Sequence, residues 1–257
     1  MRRRGFLALL GGAVAFRAGA GRAQPARMPV IGFLGANAAS AQSDWTAAFV
    51  QRLGEHGWRD GQDVRIEYRW VEGRHERSAA LAEELVRLGV DVILTHATPN
   101  VTAAKHASSA IPIVFAVAGD PVANGLVASL AQPGGNVTGL ALQQAELAGK
   151  RLELLRDCVR DLRRVAILVT PANANVISEA KEVEQAARSS GIEVHVVEAR
   201  SSEALTAGLK GLGRTVQALY VPQDSLLNSN RAKVAAMRSR NVCRPCTACA
   251  NMRRPAG

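Results

Sequence analysis

The chain has 257 residues, of which 47% are hydrophobic, 21% charged and only 4% aromatic, and its net charge is +10. A balance this basic would suggest nucleic acid, but five of the charges (Arg2, Arg3, Arg4, Arg17, Arg22) lie at the extreme N-terminus and three (Arg244, Arg253, Arg254) in the last fifteen residues. The body therefore carries about +2, ordinary for a soluble domain. With no helix-turn-helix, zinc finger or interleaved basic-aromatic motif, nucleic-acid binding is set aside.

At the N-terminus, Arg2, Arg3 and Arg4 precede a short apolar stretch over 6–16, and Gly21-Arg22-Ala23 offers a small-x-small cleavage site before Gln24. Residues 1–23 are expected to be an export signal cut near Ala23, which sends the mature chain to the periplasm. The paired arginines before Gly5-Phe6-Leu7 resemble a twin-arginine signal, and an amphipathic organelle-targeting peptide is the alternative. The stretch is too short and too weakly apolar to span a bilayer.

From Met28 to Val242 one unit repeats: a short β-branched run, a polar or glycine-containing turn, then a segment of helical period. Strands are predicted over 30–35, 64–70, 90–96, 113–117, 137–142, 165–170, 193–198 and 218–221, and helices over 43–56, 77–88, 100–108, 147–158, 177–190, 203–211 and 230–240. Several strands are apolar almost throughout, as parallel strands covered on both faces by crossover helices must be. The fold class is α/β.

In open parallel sheets, ligands bind over the carboxyl ends of the strands. The loops there are short and polar: Gly35-Ala36-Asn37-Ala38, Thr95-His96-Ala97-Thr98-Pro99-Asn100, Ala118-Gly119-Asp120-Pro121, Thr170-Pro171-Ala172-Asn173-Ala174-Asn175 and Pro222-Gln223-Asp224-Ser225. Amide, hydroxyl and backbone groups of this kind at helix N-termini suit a small zwitterion or carboxylate, with an Asp to receive an ammonium. Taken singly, Asn37, Thr98 and Asn175 are equally plain helix caps and Asp120 before Pro121 a turn former, so the argument rests on their shared rim.

Catalytic motifs are missing: there is no G-x-S-x-G elbow, H-E-x-x-H or Walker A pattern, and Gly32-Phe33-Leu34-Gly35 lacks dinucleotide-loop spacing. The five histidines are scattered; His96 alone falls at a strand's carboxyl end, where a structural or ligand-contact role is favoured over acid-base work. Glu67 and Glu72 read as a solvated face. Cys243, Cys246 and Cys249 have metal-like spacing without a nearby fourth ligand, and an exported chain favours disulfides over a metal site, so no metal or cofactor is expected.

Five stretches together resemble one family: residues 28–35, residues 61–70, Ile111-Pro112-Ile113-Val114-Phe115, Gly119-Asp120-Pro121-Val122, and Pro133-Gly134-Gly135-Asn136-Val137-Thr138-Gly139, joined by Lys150-Arg151-Leu152-Glu153-Leu154-Leu155. They are similar to the ABC-transporter substrate-binding family whose characterised members bind tryptophan or tyrosine. The resemblance implies a type I periplasmic-binding-protein fold of two doubly wound parallel-sheet lobes. Residues 28–136 would form lobe one and 137–242 lobe two, with 137–142 crossing between them. It also implies that Ala36, Asn37, Thr98, Pro99 and Asp120 line the cleft from lobe one, and Gln143, Asn173, Asn175 and Asp224 from the hinge and lobe two. The implied partners are a small ligand, which is captured by closure, and an ABC permease with its ATPase; the protein is expected to be a monomer and not an enzyme. Two alternatives stay open: a secreted α/β hydrolase using Asp120 and His96, and a periplasmic ligand-sensing module.

The resemblance stops near Val242. Residues 243–257 can be back-translated so that a shifted frame reads Pro-Ala-Met-Tyr and onward, close to the family's continuation. The tail is accordingly expected to be a frameshift product, the fold incomplete at the C-terminus, and sheet edges and apolar faces left uncovered.

Overall fold

The computed structural model describes residues 27–143, 145–212 and 216–241; residues 1–23, expected to be an export signal, and the cysteine-bearing tail lie outside them. Among the described residues, eight strands form two sheets. The first has β1 (Val30–Gly35), β2 (Arg65–Trp70), β3 (Val92–Thr95), β4 (Ile113–Gly119) and β5 (Val137–Leu142) in the order β2-β1-β3-β4-β5. The second has β6 (Arg164–Val169), β7 (Glu193–Glu198) and β8 (Ala218–Tyr220) in the order β7-β6-β8. Every pairing is parallel, so each sheet with its helices is a lobe of the doubly wound kind.

Period-2 alternation divides each central strand between two cores. In β6, Val165, Ile167 and Val169 pack with Leu152, Val176 and Val183 from α4 (Ala148–Cys158) and α5 (Ala174–Ser189). Ala166 and Leu168 point the other way, toward Leu205 and Leu209 of α6 (Ser202–Gly211), Leu226 and Leu227 of α7 (Ser225–Ser229), and α8 (Arg231–Asn241). This two-sided burial is why the strand reads as an unbroken apolar run. In lobe one, Val30, Leu34, Ile93, Ile113 and Phe115 share a core with Ala82 and Leu85 of α2 (Ser78–Arg87) and Val101 and Ala104 of α3 (Thr98–Ala107).

The opposite face of the first sheet is built differently. Phe33 meets Tyr68, Trp70 and Phe49 at ring-centroid distances of 5.4, 5.3 and 6.3 Å. Trp70 lies flat over Gly35, where any Cβ would overlap its ring, so glycine is required there. The helix on this side, α1 (Ser43–Glu55), has no fully buried residue. Toward β5 the face is bare: Val114 is 38% and Leu140 71% exposed.

Some boundaries move for identifiable reasons. The helix expected from 100 starts at Thr98, because Pro99 sits in the first turn, where its missing N–H costs nothing. The helix expected from 177 starts at Ala174, with the Asn173 side chain accepting from Asn175 N. The helix expected over 230–240 is preceded by the short α7, whose first turn is capped by the Asp224 carboxylate. Residues 137–142, expected to cross between lobes, instead pair with β4 along the first sheet. The chain leaves lobe one only after Leu142.

Lobe two buries the Glu179 carboxylate completely. Glu179 on α5 accepts from Arg151 Nη1 at 2.5 Å and from Tyr220 Oη at 2.8 Å, and it is wholly buried. Burial, together with the adjacent carboxylate, pushes the Tyr220 phenol well above its ordinary pKa. Removing the phenol oxygen while Glu179 stays buried should cost about 2 kcal/mol, the range for a hydrogen bond to a charged group. Urea unfolding of Tyr220→Phe checks this: an unchanged midpoint would show that Arg151 alone satisfies the carboxylate.

Candidate ligand cleft

The carboxyl-end loops of the two sheets face each other. On the lobe-one side a histidine clamps them in place. Ala36 N–H donates to His96 Nε2 at 3.0 Å, Gln42 Nε2 approaches the same nitrogen at 2.7 Å, and Gln42 Oε1 accepts from Asn37 N at 3.2 Å. A nitrogen that accepts from a backbone N–H carries no proton, so the His96 proton sits on Nδ1 and the ring is neutral. Burial supports this state by lowering its pKa to about 4. Thr98 Oγ1 accepts from Gly119 N at 3.1 Å and so ties the β3 and β4 loops together. Two residues of these loops, Ala97 at φ 69° and Asp120 at φ 31°, hold left-handed backbone that side chains other than glycine seldom adopt.

The lobe-two side is a polar knot around Asp224. Its oxygens accept from Leu226 N at 2.8 Å, Leu227 N at 3.3 Å and Asn173 Nδ2 at 2.9 Å. Burial alone would raise the carboxyl pKa, but the hydrogen bonds from His75 and Asn173 outweigh it and hold the group below its ordinary value.

The lobes touch along this rim. His75 Nε2 lies 3.2 Å from Asp224 Oδ2, and Ser229 Oγ donates to Asn37 Oδ1 at 3.4 Å. A Cβ built on Gly119 would overlap the side chain of Asn175. A cavity of about 290 Å³ opens at the seam, lined by His75, Ser78, Thr98, Pro99 and His106 of lobe one and by Ala172 and Ala174 of lobe two. Buried polar atoms at the seam, among them His75 Nδ1 and Asn175 Oδ1, have no protein partner.

Of the nine residues read from sequence, Ala36, Asn37, Thr98, Pro99, Asn173, Asn175 and Asp224 gather at this seam. Asp120 turns back on its own loop, its carboxylate accepting from Ala123 N at 3.2 Å. Gln143 is exposed and donates to Glu146. The hydrolase alternative loses its dyad, since His96 Nε2 is taken by Ala36 and Gln42 and the Asp120 carboxylate by its own turn. Sequence reasoning passed over Gln42, His75 and Ser229. His75 follows β2, whose carboxyl-end loop was not among those read as the ligand rim. Among the described residues, no group of three or more His, Cys, Asp or Glu is arranged to hold a metal ion, and no helix is long and apolar enough to cross a membrane.

A family profile described as ABC transporter substrate binding protein matches residues 38–248. The chain belongs to this family. The match runs a few residues into the tail that the sequence reading set apart. A curated relative, the tyrosine-binding protein of Clostridioides difficile strain R20291, is 26% identical over 193 residues, 75% of this chain and 55% of the relative. The chain thus spans about half the length of that relative. Two solved structures share the fold. A conserved domain protein from Vibrio cholerae has a TM-score of 0.75 at 22% identity, covering 83% of this chain and 72% of its own. The ABC domain in complex with L-Trp from Streptococcus pneumonia has a TM-score of 0.68 at 25% identity, covering 87% and 76%. These neighbours and the two parallel-sheet lobes agree with the type I periplasmic-binding fold read from the sequence. Members of this substrate-binding family are solute binders and typically extracytoplasmic.

Proposed function

We propose that this ABC substrate-binding family member is the solute-binding component of an importer, capturing a small ligand between its lobes and presenting the closed form to a permease with its ATPase. The ligand class is an amino acid. Supporting this, the relative from C. difficile is named for tyrosine and the S. pneumonia domain was solved with L-Trp. The observation that carries the reading is the seam itself: polar loops from both sheets meet there, and Asn175 Oδ1 and His75 Nδ1 are buried without partners. Buried polar atoms are nearly always paired, so these two await a partner that the protein does not supply. Ala36, Asn37, Thr98, Pro99, Asn173 and Asn175 are the proposed contacts, with Asp120 and Gln143 at the margin. Export through residues 1–23 would place the mature protein in the periplasm as a monomer.

Binding to both lobes favours closure by the ligand's differential affinity for the closed form, and no bond is broken. Thermal unfolding against a panel of amino acids tests the reading. A ligand present at one hundred times its Kd stabilises the native state by about 2.7 kcal/mol. Tyrosine or tryptophan should therefore raise the melting temperature by several degrees. A cooperative transition that no amino acid moves would sink the proposal.

A further inference from the structure

We infer that His75 is the latch of the cleft, and that Asp224 serves to receive this latch from across the seam instead of receiving the ammonium of a ligand. The inference rests on the two-lobe capture reading above. A carboxylate offers about four lone-pair sites, and Asp224 has four protein donors: Leu226 N, Leu227 N, Asn173 Nδ2 and His75 Nε2. No position is left for a ligand cation. The Asp224 side chain is fully buried and that of His75 is 7% exposed, so the contact forms away from solvent screening.

The division of donors gives the latch its reversibility. Three of the four belong to lobe two and survive when the lobes part; only His75 arrives from lobe one, on the turn His75–Arg77 that follows β2. Opening therefore leaves Asp224 still capped and bonded while the imidazole passes to water. Of the bonds to Asp224, opening breaks only this one, which is stronger than a neutral bond but whose loss is far short of stranding a buried charge. Neighbouring geometry supports a closing role. Ser225 Oγ lies 3.4 Å from the same nitrogen, and the Ser229–Asn37 bond crosses the seam from the same short helix. Gly73, at φ 75°, lets the preceding loop lie close against Leu226 and Ser225, where a Cβ would stand only 3.2–3.3 Å from their backbone.

The test is small-angle scattering on ligand-free wild type, His75→Ala and His75→Gln, with thermal unfolding of each, followed by titration with L-tyrosine and L-tryptophan. His75→Ala is expected to lower the closed-to-open ratio about tenfold and raise the radius of gyration, while His75→Gln, which keeps a donor, returns most of the closed population. An unchanged scattering profile in His75→Ala, or the same expansion in both variants, overturns the latch. So does weaker ligand binding in His75→Ala with closure intact, because His75 would then serve the ligand through Nδ1 without holding the lobes together. Should neither amino acid bind the wild type while His75→Ala still opens, the latch stands and the amino-acid reading fails.

Discussion

Gly119→Val should weaken binding of whichever amino acid the protein takes by 100-fold or more, about 2.7 kcal/mol, while the ligand-free protein melts within about 2 °C of wild type. Gly119 ends β4, and its N–H is held by Thr98 Oγ1. Its backbone is not in the left-handed region, so lobe one has no conformational objection to a side chain there. The obstacle is across the seam. A Cβ at 119 would overlap Cγ, Oδ1 and Nδ2 of Asn175 together, and Asn175 is 3% exposed at the start of α5, its N–H fixed by the Asn173 cap. Because the conflict begins at Cγ, rotation of the amide alone does not relieve it, and the lobes must part. Valine would hold them apart and spoil contacts that a ligand makes only in the closed form. Calorimetric titration measures the loss, and the double variant Gly119→Val with Asn175→Gly should recover part of it. Wild-type affinity in Gly119→Val would mean that binding does not need the lobes to meet at this point.

How far the sequence discloses this arrangement depends on whether the cause is local. Parallel strands buried on two faces read as apolar runs wherever they occur, so 165–170 and 113–117 were recognisable, and their carboxyl-end loops followed from topology. Caps were half visible: Asn173 and Asp224 are natural N-cap residues, but a five-residue helix such as α7 has no period to detect. Asp224 was read as open to an ammonium because it is the acidic residue of its loop. Its fourth donor, His75, lies 149 positions away in the chain, and no local pattern announces that meeting. Gln42 likewise seemed unremarkable, and only the fold brings it to His96. Tyr68 and Trp70 lie on the edge strand over Phe33 and Gly35, with the sheet between them and the α2–α3 core.

Acidification should destabilise the protein between pH 6.5 and about 4 through His96. Its folded pKa, near 4, lies below the ordinary 6.5 because the ring is buried. Across that window the unfolded chain binds a proton that the native state refuses, so stability falls as pH falls, by at most about 3 kcal/mol at the lower end. Geometry gives the same sign, since an imidazolium would turn an Nε2 proton toward Ala36 N–H and the Gln42 amide, which now occupy its lone pair. Protonation must therefore release the loop that carries Asn37, and ligand affinity should drop alongside stability. Asp224 adds a separate loss at lower pH: its carboxyl is held below 3.8 in the folded state, so its contribution persists above that value and disappears as pH falls through the folded pKa. His96→Gln, which cannot titrate here, should start less stable at pH 7 and show a much flatter melting temperature from pH 7 to 4.5, with the steep decline resuming below. If wild type and His96→Gln fall in parallel across that range, the acid sensitivity belongs to another group and the clamp is not its source.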